Sequence, residues 1–202
     1  MKKLIAFIII TVTLLTTVGC SLLSGPRTTV DSLFKALETY DADAITKLVT
    51  EFPNNDDCGV TYDLFSDEVY INLYKAAYTN LSFKVASLNT ENKNATMVVT
   101  VTHPDLKTAY TNATYSSMAL LMSDEALYND FMNNPDKDFS YLVPTQIRNM
   151  VQSGNVENIE TTFTISLRED DDGWKIITDD ELKNLISSNL YSIAANINNI
   201  QE

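Results

Sequence analysis

The sequence predicts an α+β fold in which two β-hairpins form one antiparallel sheet packed against N-terminal helices. Apolar and polar residues alternate from Ile159 to Arg168, which is the period of a half-buried strand. A second alternation occupies residues 81–103, and helical periodicity fills the segments before, between and after these two stretches. Helical runs combined with antiparallel hairpins are typical of the α+β class.

Two amphipathic helices are predicted at the start of the domain. Thr28 begins a helix whose apolar residues recur at helical spacing as far as Tyr40. A shorter helix begins at Asp41 or Asp43, and Pro53 stops it because proline has no backbone N–H to continue the hydrogen bonding. Each helix therefore has one apolar face to lay on the sheet.

A third helix is predicted over residues 61–79, and it carries a row of phenols. Tyr70, Tyr74 and Tyr78 recur every four residues, so they lie nearly above one another along one edge of the helix. Phenols at such an edge usually mark a half-buried boundary with solvated hydroxyl groups. The alternative is that the row lines a binding pocket for a small apolar or aromatic ligand.

The first hairpin ends at the one histidine of the chain. Strands are predicted at 81–86 and 95–103, with a turn over residues 89–94, and Pro104 ends the second strand. His103 is in phase with the apolar face of its strand, so we expect it to point inward. With an ordinary pKa of about 6.5, it is the candidate for general acid–base catalysis, partnered by a tyrosine of the third helix. The alternative is a histidine whose ring bonds to a carbonyl or to water.

Helices are predicted again between the two hairpins. Residues 105–152 show helical periodicity, which Pro135 and Pro144 break into pieces and Gly154 ends. This stretch is a helical insertion between the two halves of the sheet.

The second hairpin and a C-terminal helix complete the chain. The acidic run 169–172 forms the turn, and residues 174–177 form the return strand. Thr178 and Glu181 fit a capping box at the start of the last helix, which has an apolar stripe over residues 182–200.

The acidic turn does not complete a calcium site. If residues 168–179 are laid on a calcium-binding loop, Arg168 takes the first ligand position and Asp179 replaces the bidentate glutamate at the last one. Cys58 has no basic neighbour in the sequence to lower its pKa, and no phosphate loop, zinc cluster or hydrolase motif occurs. We therefore expect no metal and no cofactor.

The first 19 residues have the charge and hydropathy pattern of an export signal. Lys2 and Lys3 precede an uncharged apolar run that ends in Gly19 and Cys20. This stretch resembles the signal peptide and lipobox of bacterial lipoproteins. The resemblance implies that Cys20 is acylated with fatty acids and becomes the first residue of the mature chain. The protein would then be anchored to the cell membrane at its extracytoplasmic face.

The length and composition of the chain limit the number of domains that it can form and the kinds of partner that it can bind. The chain has 202 residues, is 45% hydrophobic and has a net charge of -13 at pH 7, which suits one core and one domain. The predicted boundaries are a signal peptide at 1–19, the lipidated cysteine and a tether at 20–27, and the domain at 28–202. An acidic surface repels phosphate backbones, which argues against nucleic acid and favours a basic protein partner.

The N-terminal helices and the last hairpin together resemble the exported nuclear-transport-factor-2-like lipoproteins of bacteria. The matching stretches are PRTTVDSLFKALETYDADAITKLV near the N-terminus and the acidic turn that continues into DDGWKI. The resemblance implies a cone-shaped fold, in which a curved antiparallel sheet wraps around a long N-terminal helix. Relatives of this kind include non-catalytic ligand or partner binders as well as isomerases and dehydratases, so the resemblance implies a pocket and no particular reaction.

No catalytic motif accompanies these features. We therefore expect a membrane-anchored binding or accessory module for a small apolar ligand or a protein partner. One alternative is an acid–base enzyme of the isomerase or dehydratase type that uses His103 in a cone pocket. Another is a structural protein of the cell envelope.

Overall fold

The computed structural model describes residues 25–50, 68–79, 81–134 and 139–193. Its elements in chain order are α1 (Pro26–Thr39), α2 (Ala42–Leu48), α3 (Glu68–Tyr78), β1 (Ser82–Glu91), β2 (Asn94–Pro104), α4 (Leu106–Ser123), α5 (Glu125–Asn133), α6 (Phe139–Gln152), β3 (Asn158–Asp170), β4 (Gly173–Ile176) and α7 (Asp180–Ile186). Helices and one antiparallel sheet are combined in a single chain, which confirms the predicted α+β class.

The four strands form an antiparallel sheet in the order β1-β2-β3-β4. The two predicted hairpins are therefore neighbours, joined by β2 and β3, which pair from Asn94 opposite Arg168 to Pro104 opposite Asn158. One face of this central pair enters the core, with these residues buried: Ala95, Met97, Val99, Val101, His103, Phe163, Ile165 and Leu167. The alternation that predicted these strands is confirmed.

The first hairpin is longer than the sequence predicted. β1 and β2 pair as far as Glu91 opposite Asn94, so the turn consists of Asn92 and Lys93 instead of residues 89–94. Asn92 has a positive φ of 53°, which asparagine adopts more readily than most residues. The end of β1 is exposed on both faces, so it has no apolar alternation by which a strand is recognised.

α1 packs one apolar stripe into the core. Val30, Leu33, Phe34 and Leu37 are at most 1% exposed, and the ring of Phe34 stacks on that of Phe83 with ring centres 3.8 Å apart. Full burial of a side chain of this size contributes about 1.5–3 kcal/mol to stability. The stripe thus holds α1 against the sheet, as its periodicity predicted.

The helices beside the sheet form a row in which α3 packs on α6, α6 on α4, and α4 on α5. The predicted break at Pro144 is wrong, because this proline lies inside α6. Val143 and Ile147 are buried on either side of it, and their packing offsets the missing N–H. The structure instead breaks the helices at Asp124, whose carboxylate caps α5 by accepting the N–H of Leu127 at 3.0 Å.

The end of α6 agrees with the prediction. Gly154 has a φ of 73°, and its N–H donates to the carbonyl of Val151 while that of Asn155 donates to Met150. These bonds form a Schellman motif, which requires a left-handed residue and so favours glycine. Pro135 lies outside the described residues.

The C-terminal helix is shorter than its apolar stripe suggested. α7 ends at Ile186, and residues 187–189 form a turn before another short helical segment. Residues 194–202 lie outside the described part, as does the predicted beginning of the third helix. None of the helices in the described ranges combines the length and the apolar character needed to cross a bilayer.

The cap of α7 also differs from the prediction. Asp179, one residue later than expected, caps the helix by accepting the N–H of Leu182 at 2.9 Å. Thr178 bonds instead to Thr50: its hydroxyl donates to the Thr50 carbonyl and its N–H donates to the Thr50 hydroxyl, both at 2.8 Å. The capping-box prediction is wrong because a residue distant in sequence engages the Thr178 side chain.

Candidate functional site

The predicted lipidation site lies outside the described residues. Cys20 belongs to the stretch 1–24, so its acylation stays a prediction. The other predicted site residues, His103 and the three tyrosines of α3, lie in the described part and are considered in turn.

His103 lies at the end of β2 with its ring in a buried cluster of polar groups. The residue is 3% exposed. Its Nδ1 is 2.9 Å from the carbonyl oxygen of Pro104 and 2.5 Å from the hydroxyl oxygen of Ser188, while its Nε2 is 2.8 Å from that of Thr161. The inward direction of the ring is as the sequence predicted, because alternation along β2 determines its face.

These partners determine which ring nitrogen carries the proton. A carbonyl can only accept, so Nδ1 donates toward Pro104, and Nε2 accepts from the hydroxyl of Thr161. The hydroxyl of Ser188 donates to the same carbonyl at 3.2 Å. Burial lowers the pKa of His103, and the bond to the Pro104 carbonyl and the charge of Asp105 raise it in part. The neutral ring therefore has a hydrogen-bond partner at each nitrogen.

Ser188 connects this histidine to a tyrosine of α3. Tyr78 is completely buried, and its hydroxyl donates to the carbonyl of Leu185 in α7. Burial raises the pKa of the Tyr78 phenol, and hydrogen bonding with Ser188 opposes that shift. Ser188 has a φ of 51°, in the left-handed region, in the turn after α7. The structure thus brings together the histidine and the tyrosine that the sequence suggested as a pair, through a serine that it did not indicate.

The cluster is closed to solvent. Tyr78, His103 and Ser188 are at most 3% exposed, and none of them lines the cleft of about 360 Å³ that adjoins Pro104. A general base must reach the proton that it removes, but here Nε2 already accepts a hydrogen bond from the hydroxyl of Thr161. The geometry favours a structural role, in which the cluster ties β2 and β3 to the turn after α7. Catalysis by His103 stays a prediction.

The tyrosine row is more deeply buried than the helix edge suggested. Tyr74 and Tyr78 are completely buried, and Tyr70 is partly exposed. Tyr40, which follows α1 with a φ of 49°, stacks on this row with its ring centre 5.1 Å from that of Tyr74 and 6.3 Å from that of Tyr78. The rings fill the junction between α1 and α3. A ligand-lining role for Tyr70, Tyr74 and Tyr78 stays a prediction.

Exposed apolar side chains concentrate on α4 and α5. Six of the eight large apolar side chains that are exposed in the described part belong to these two helices: Tyr115, Met118, Leu120, Met122, Tyr128 and Met132. A groove of about 500 Å³, called here the α4–α5 groove, is lined by these apolar residues: Met118, Leu121, Met122, Tyr128 and Phe131. Its volume lies within the range of roughly 300–1,000 Å³ that is usual for ligand sites.

The two helices present apolar stripes that the described part of the chain leaves exposed. α5 has no buried residue at all, and Tyr128 and Met132, four residues apart on it, are 49% and 61% exposed. On α4, Tyr115, Met118 and Met122 form a similar exposed stripe. A helix on the surface of a soluble domain normally buries its apolar face. Exposed apolar patches of this kind are frequent at interaction sites of proteins.

The charged side chains of this region are all acidic. Between Thr108 and Asn134 they are Asp124, Glu125 and Asp130, and Glu125 lines the groove. Among the described residues, no group of three or more His, Cys, Asp or Glu side chains is placed to hold a metal ion. The groove thus offers thioether, aliphatic and aromatic contacts with an acidic rim, which is chemistry suited to binding.

Comparison with solved structures finds a distant likeness of shape. The chain is similar to a crystal structure from Bacillus subtilis subsp. subtilis str. 168 that is described as "a putative lipoprotein (ycdA)", with 13% sequence identity and a TM-score of 0.46. The similar region covers 81% of this chain and 55% of that one, so the chain spans about half the length of that structure. No protein-family model and no curated protein matches the sequence. Function is therefore inferred from the residues of this chain.

Sequence reasoning did not predict the α4–α5 groove. The spacing of apolar residues predicts both helices, but it does not show whether other elements cover the apolar stripe of each helix. A signal was nevertheless available. From Thr108 to Ser123, α4 has no charged residue, although a helix that faces water on one side usually carries several.

Proposed function

We propose that this chain is a lipid-anchored binding module at the extracytoplasmic face of a cell membrane, and that it binds an apolar ligand in the α4–α5 groove without catalysing a reaction. The observation that carries the proposal is the uncovered apolar lining, with Met118 49%, Tyr128 49% and Met122 89% exposed. Methionine side chains are flexible and polarisable, so such a surface adapts to ligands of different shape.

The size of the groove sets the expected affinity. A ligand that removes roughly 200–300 Å² of apolar surface from water gains about 5–7 kcal/mol at about 25 cal/mol per Å². This corresponds to dissociation constants from the micromolar to the sub-millimolar range, before the cost of lost motion is counted. We therefore expect weak, adaptable binding of small apolar molecules.

The anchor is the second part of the proposal. Lys2 and Lys3, the apolar run and the pair Gly19-Cys20 support acylation of Cys20. A clickable fatty acid fed to expressing cells should label the wild type and leave Cys20→Ala unlabelled. Equal labelling of the two chains would exclude this anchor, since durable attachment needs acyl chains on that cysteine.

The proposal also includes a distant relation to the nuclear-transport-factor-2-like lipoproteins. It is supported by the packing of α1 on an antiparallel sheet, with Phe34 stacked on Phe83. The register shift between Val85 and Ser87 also supports it, because a bulge bends a strand and so curves a sheet. These are features of shape, and the ligand is argued from the groove.

The groove is tested with N-phenyl-1-naphthylamine, a neutral dye whose fluorescence rises in apolar surroundings. Met118→Glu places a charge in the groove, and we expect it to weaken dye binding by at least about tenfold, since a charge in an apolar site costs more than about 1.4 kcal/mol. Leu88→Glu is the matched control, because Leu88 is similarly exposed at 43%, lies on β1 and does not line the groove. If the two variants bind the dye equally, the ligand site is not this groove.

A further inference from the structure

We propose that the natural occupant of the α4–α5 groove is an amphipathic helix of a partner protein, with its apolar face in the groove and basic side chains against the acidic rim. This inference rests on the proposed binding function and specifies its ligand. Three features of the described residues carry it: the spacing of the exposed stripes, the position of α5 in the fold, and the sign of the charges.

The exposed stripes have the spacing that a packed helix requires. Tyr115, Met118 and Met122 lie at positions i, i+3 and i+7 of α4, which places them along one side over about 10 Å of helix. On α5, Tyr128, Phe131 and Met132 lie at positions i, i+3 and i+4, which also places them along one side of their helix. Helices pack by laying such ridges into the grooves of a neighbour. A third helix therefore fits between the two stripes better than an extended strand does.

The position of α5 leaves room for that helix. α3, α6, α4 and α5 form a row, and α5 stands at its end with α4 as the element it packs on. No residue of α5 is buried, although its Leu127 and Phe131 are partly covered. Among the described elements, the row thus ends in an amphipathic helix with Tyr128 and Met132 exposed. An added helix continues the arrangement that the earlier members of the row already have.

The charges indicate a basic helix. Asp124 stands at the start of α5, Glu125 in its first turn lines the groove, and α5 has no lysine or arginine. The nearest basic residue before the groove is Lys107, at the opposite end of α4 and about 16 Å along the helix from Met118. The whole chain has a net charge of -13. Like charges in an interface are costly, so an acidic partner is disfavoured and a basic one attracted.

The same charges argue against a bilayer as the occupant. Helices that lie on anionic membranes have lysine and arginine on their polar face, which bind the lipid headgroups. α5 carries no lysine or arginine, and Asp124 and Glu125 stand at its start beside the apolar stripe, so anionic headgroups repel it. A basic amphipathic helix offers apolar contact to the stripe and positive charge to the acidic rim. An anionic membrane offers apolar contact alone.

The test uses the full chain in nanodiscs of zwitterionic phosphatidylcholine and two fluorescent peptides of about 18 residues, roughly 27 Å long as helices. The peptides share one leucine face, which is flanked by lysines in the first and by glutamates in the second. Anisotropy should show that the lysine peptide binds at least about tenfold more tightly at low salt, with the difference shrinking as salt screens the charges.

One pair of variants tests the apolar face. Met118→Gln combined with Met122→Gln removes apolar contact without adding charge, and we expect binding of the lysine peptide to weaken by at least about tenfold. Leu88→Gln is the control, because Leu88 is 43% exposed on β1 and does not line the groove. Equal weakening by the control would place the peptide elsewhere and overturn the proposal.

A second variant tests the charges. Asp124→Asn and Glu125→Gln together remove the acidic rim with little change of shape, and asparagine still caps α5 at position 124. Two exposed charge pairs contribute roughly a threefold to tenfold change in affinity, so we expect that loss for the lysine peptide and no loss for the glutamate peptide.

The outcomes separate this proposal from the function on which it rests. If the two peptides bind alike, or neither binds while the dye still does, the basic helix is wrong and the apolar-ligand function stands. If peptide and dye both fail to bind, both are wrong. A benzoylphenylalanine replacing Tyr115, in nanodiscs that contain phosphatidylglycerol, tests the membrane. A lipid adduct that forms to the same extent when the lysine peptide is present during irradiation overturns the proposal.

Discussion

Replacement of His103 by alanine should destabilise the fold, because the ring is the centre of a buried hydrogen-bonded cluster. The change removes bonds to Thr161 at 2.8 Å, to Pro104 at 2.9 Å and to Ser188 at 2.5 Å. Each such bond contributes about 1 kcal/mol net, and the void left by a buried ring adds roughly 1–2 kcal/mol. We expect the free energy of unfolding to fall by about 3–5 kcal/mol.

Urea unfolding of residues 21–202, followed by circular dichroism, measures this loss. Thr161→Val removes one bond of the cluster and should cost about 1 kcal/mol. Thr164→Val makes the same change on the exposed face of β3 and should stay within about 0.5 kcal/mol of the wild type. This pair separates the cluster from the general effect of replacing a threonine in this strand.

A small effect of His103→Ala would refute the reasoning. If the variant loses less than about 1 kcal/mol, the ring does not hold the cluster together. A buried histidine that contributes so little to folding would then regain interest as an acid–base residue, because catalytic groups are commonly not optimised for stability. Activity against candidate substrates of isomerases and dehydratases would be the next measurement.

Two further predictions concern pH and helix capping. Because burial lowers the pKa of His103, the unfolded chain binds a proton near pH 6.5 that the native chain does not bind. The free energy of unfolding should therefore fall as the pH drops below about 6.5, and it should level off below the pKa of the native state. The chain has one histidine, so His103→Ala should flatten this slope in urea titrations, and an unchanged slope would assign it to another group. Asp179→Ala should lower the free energy of unfolding by about 1 kcal/mol, because it removes the bond to Leu182. Asp179→Asn keeps an acceptor for that bond and should stay within a few tenths of a kcal/mol of the wild type. Equal losses in the two variants would mean that the capping bond itself does not stabilise α7.

The central strands could be predicted from the sequence because alternation acts locally. A residue two positions along a strand returns to the same face whatever the order of the strands. The inward direction of His103 follows from this rule, since Val99 and Val101 precede it on the buried face. Its partners do not follow, because Thr161 and Ser188 are 58 and 85 residues away in sequence.

The predictions for Thr178 and for the tyrosine row were wrong or incomplete for one physical reason, which is competition from distant residues. Thr178 matches a capping box locally, but Thr50 satisfies its hydroxyl and N–H, and Asp179 takes over the cap. The spacing of the tyrosines predicts that they share one edge of α3, but it does not show which residues pack against that edge. Tyr40 covers that edge from the end of α1, where it adopts a left-handed backbone that aromatic residues rarely take.

The α4–α5 groove is the feature for which the sequence pattern and the tertiary structure differ most. The free energy of side-chain burial shows how large this difference is. Burying a side chain such as Met122 or Tyr115 releases roughly 1.5–3 kcal/mol, against a total stability of about 5–15 kcal/mol for a typical domain. Closure of the groove by the chain's own helices would therefore raise stability substantially. The fold leaves Met122 89% and Tyr115 70% exposed instead. In the interface proposed above, this open stripe beside Asp124 and Glu125 recovers part of that free energy when a basic helix covers it.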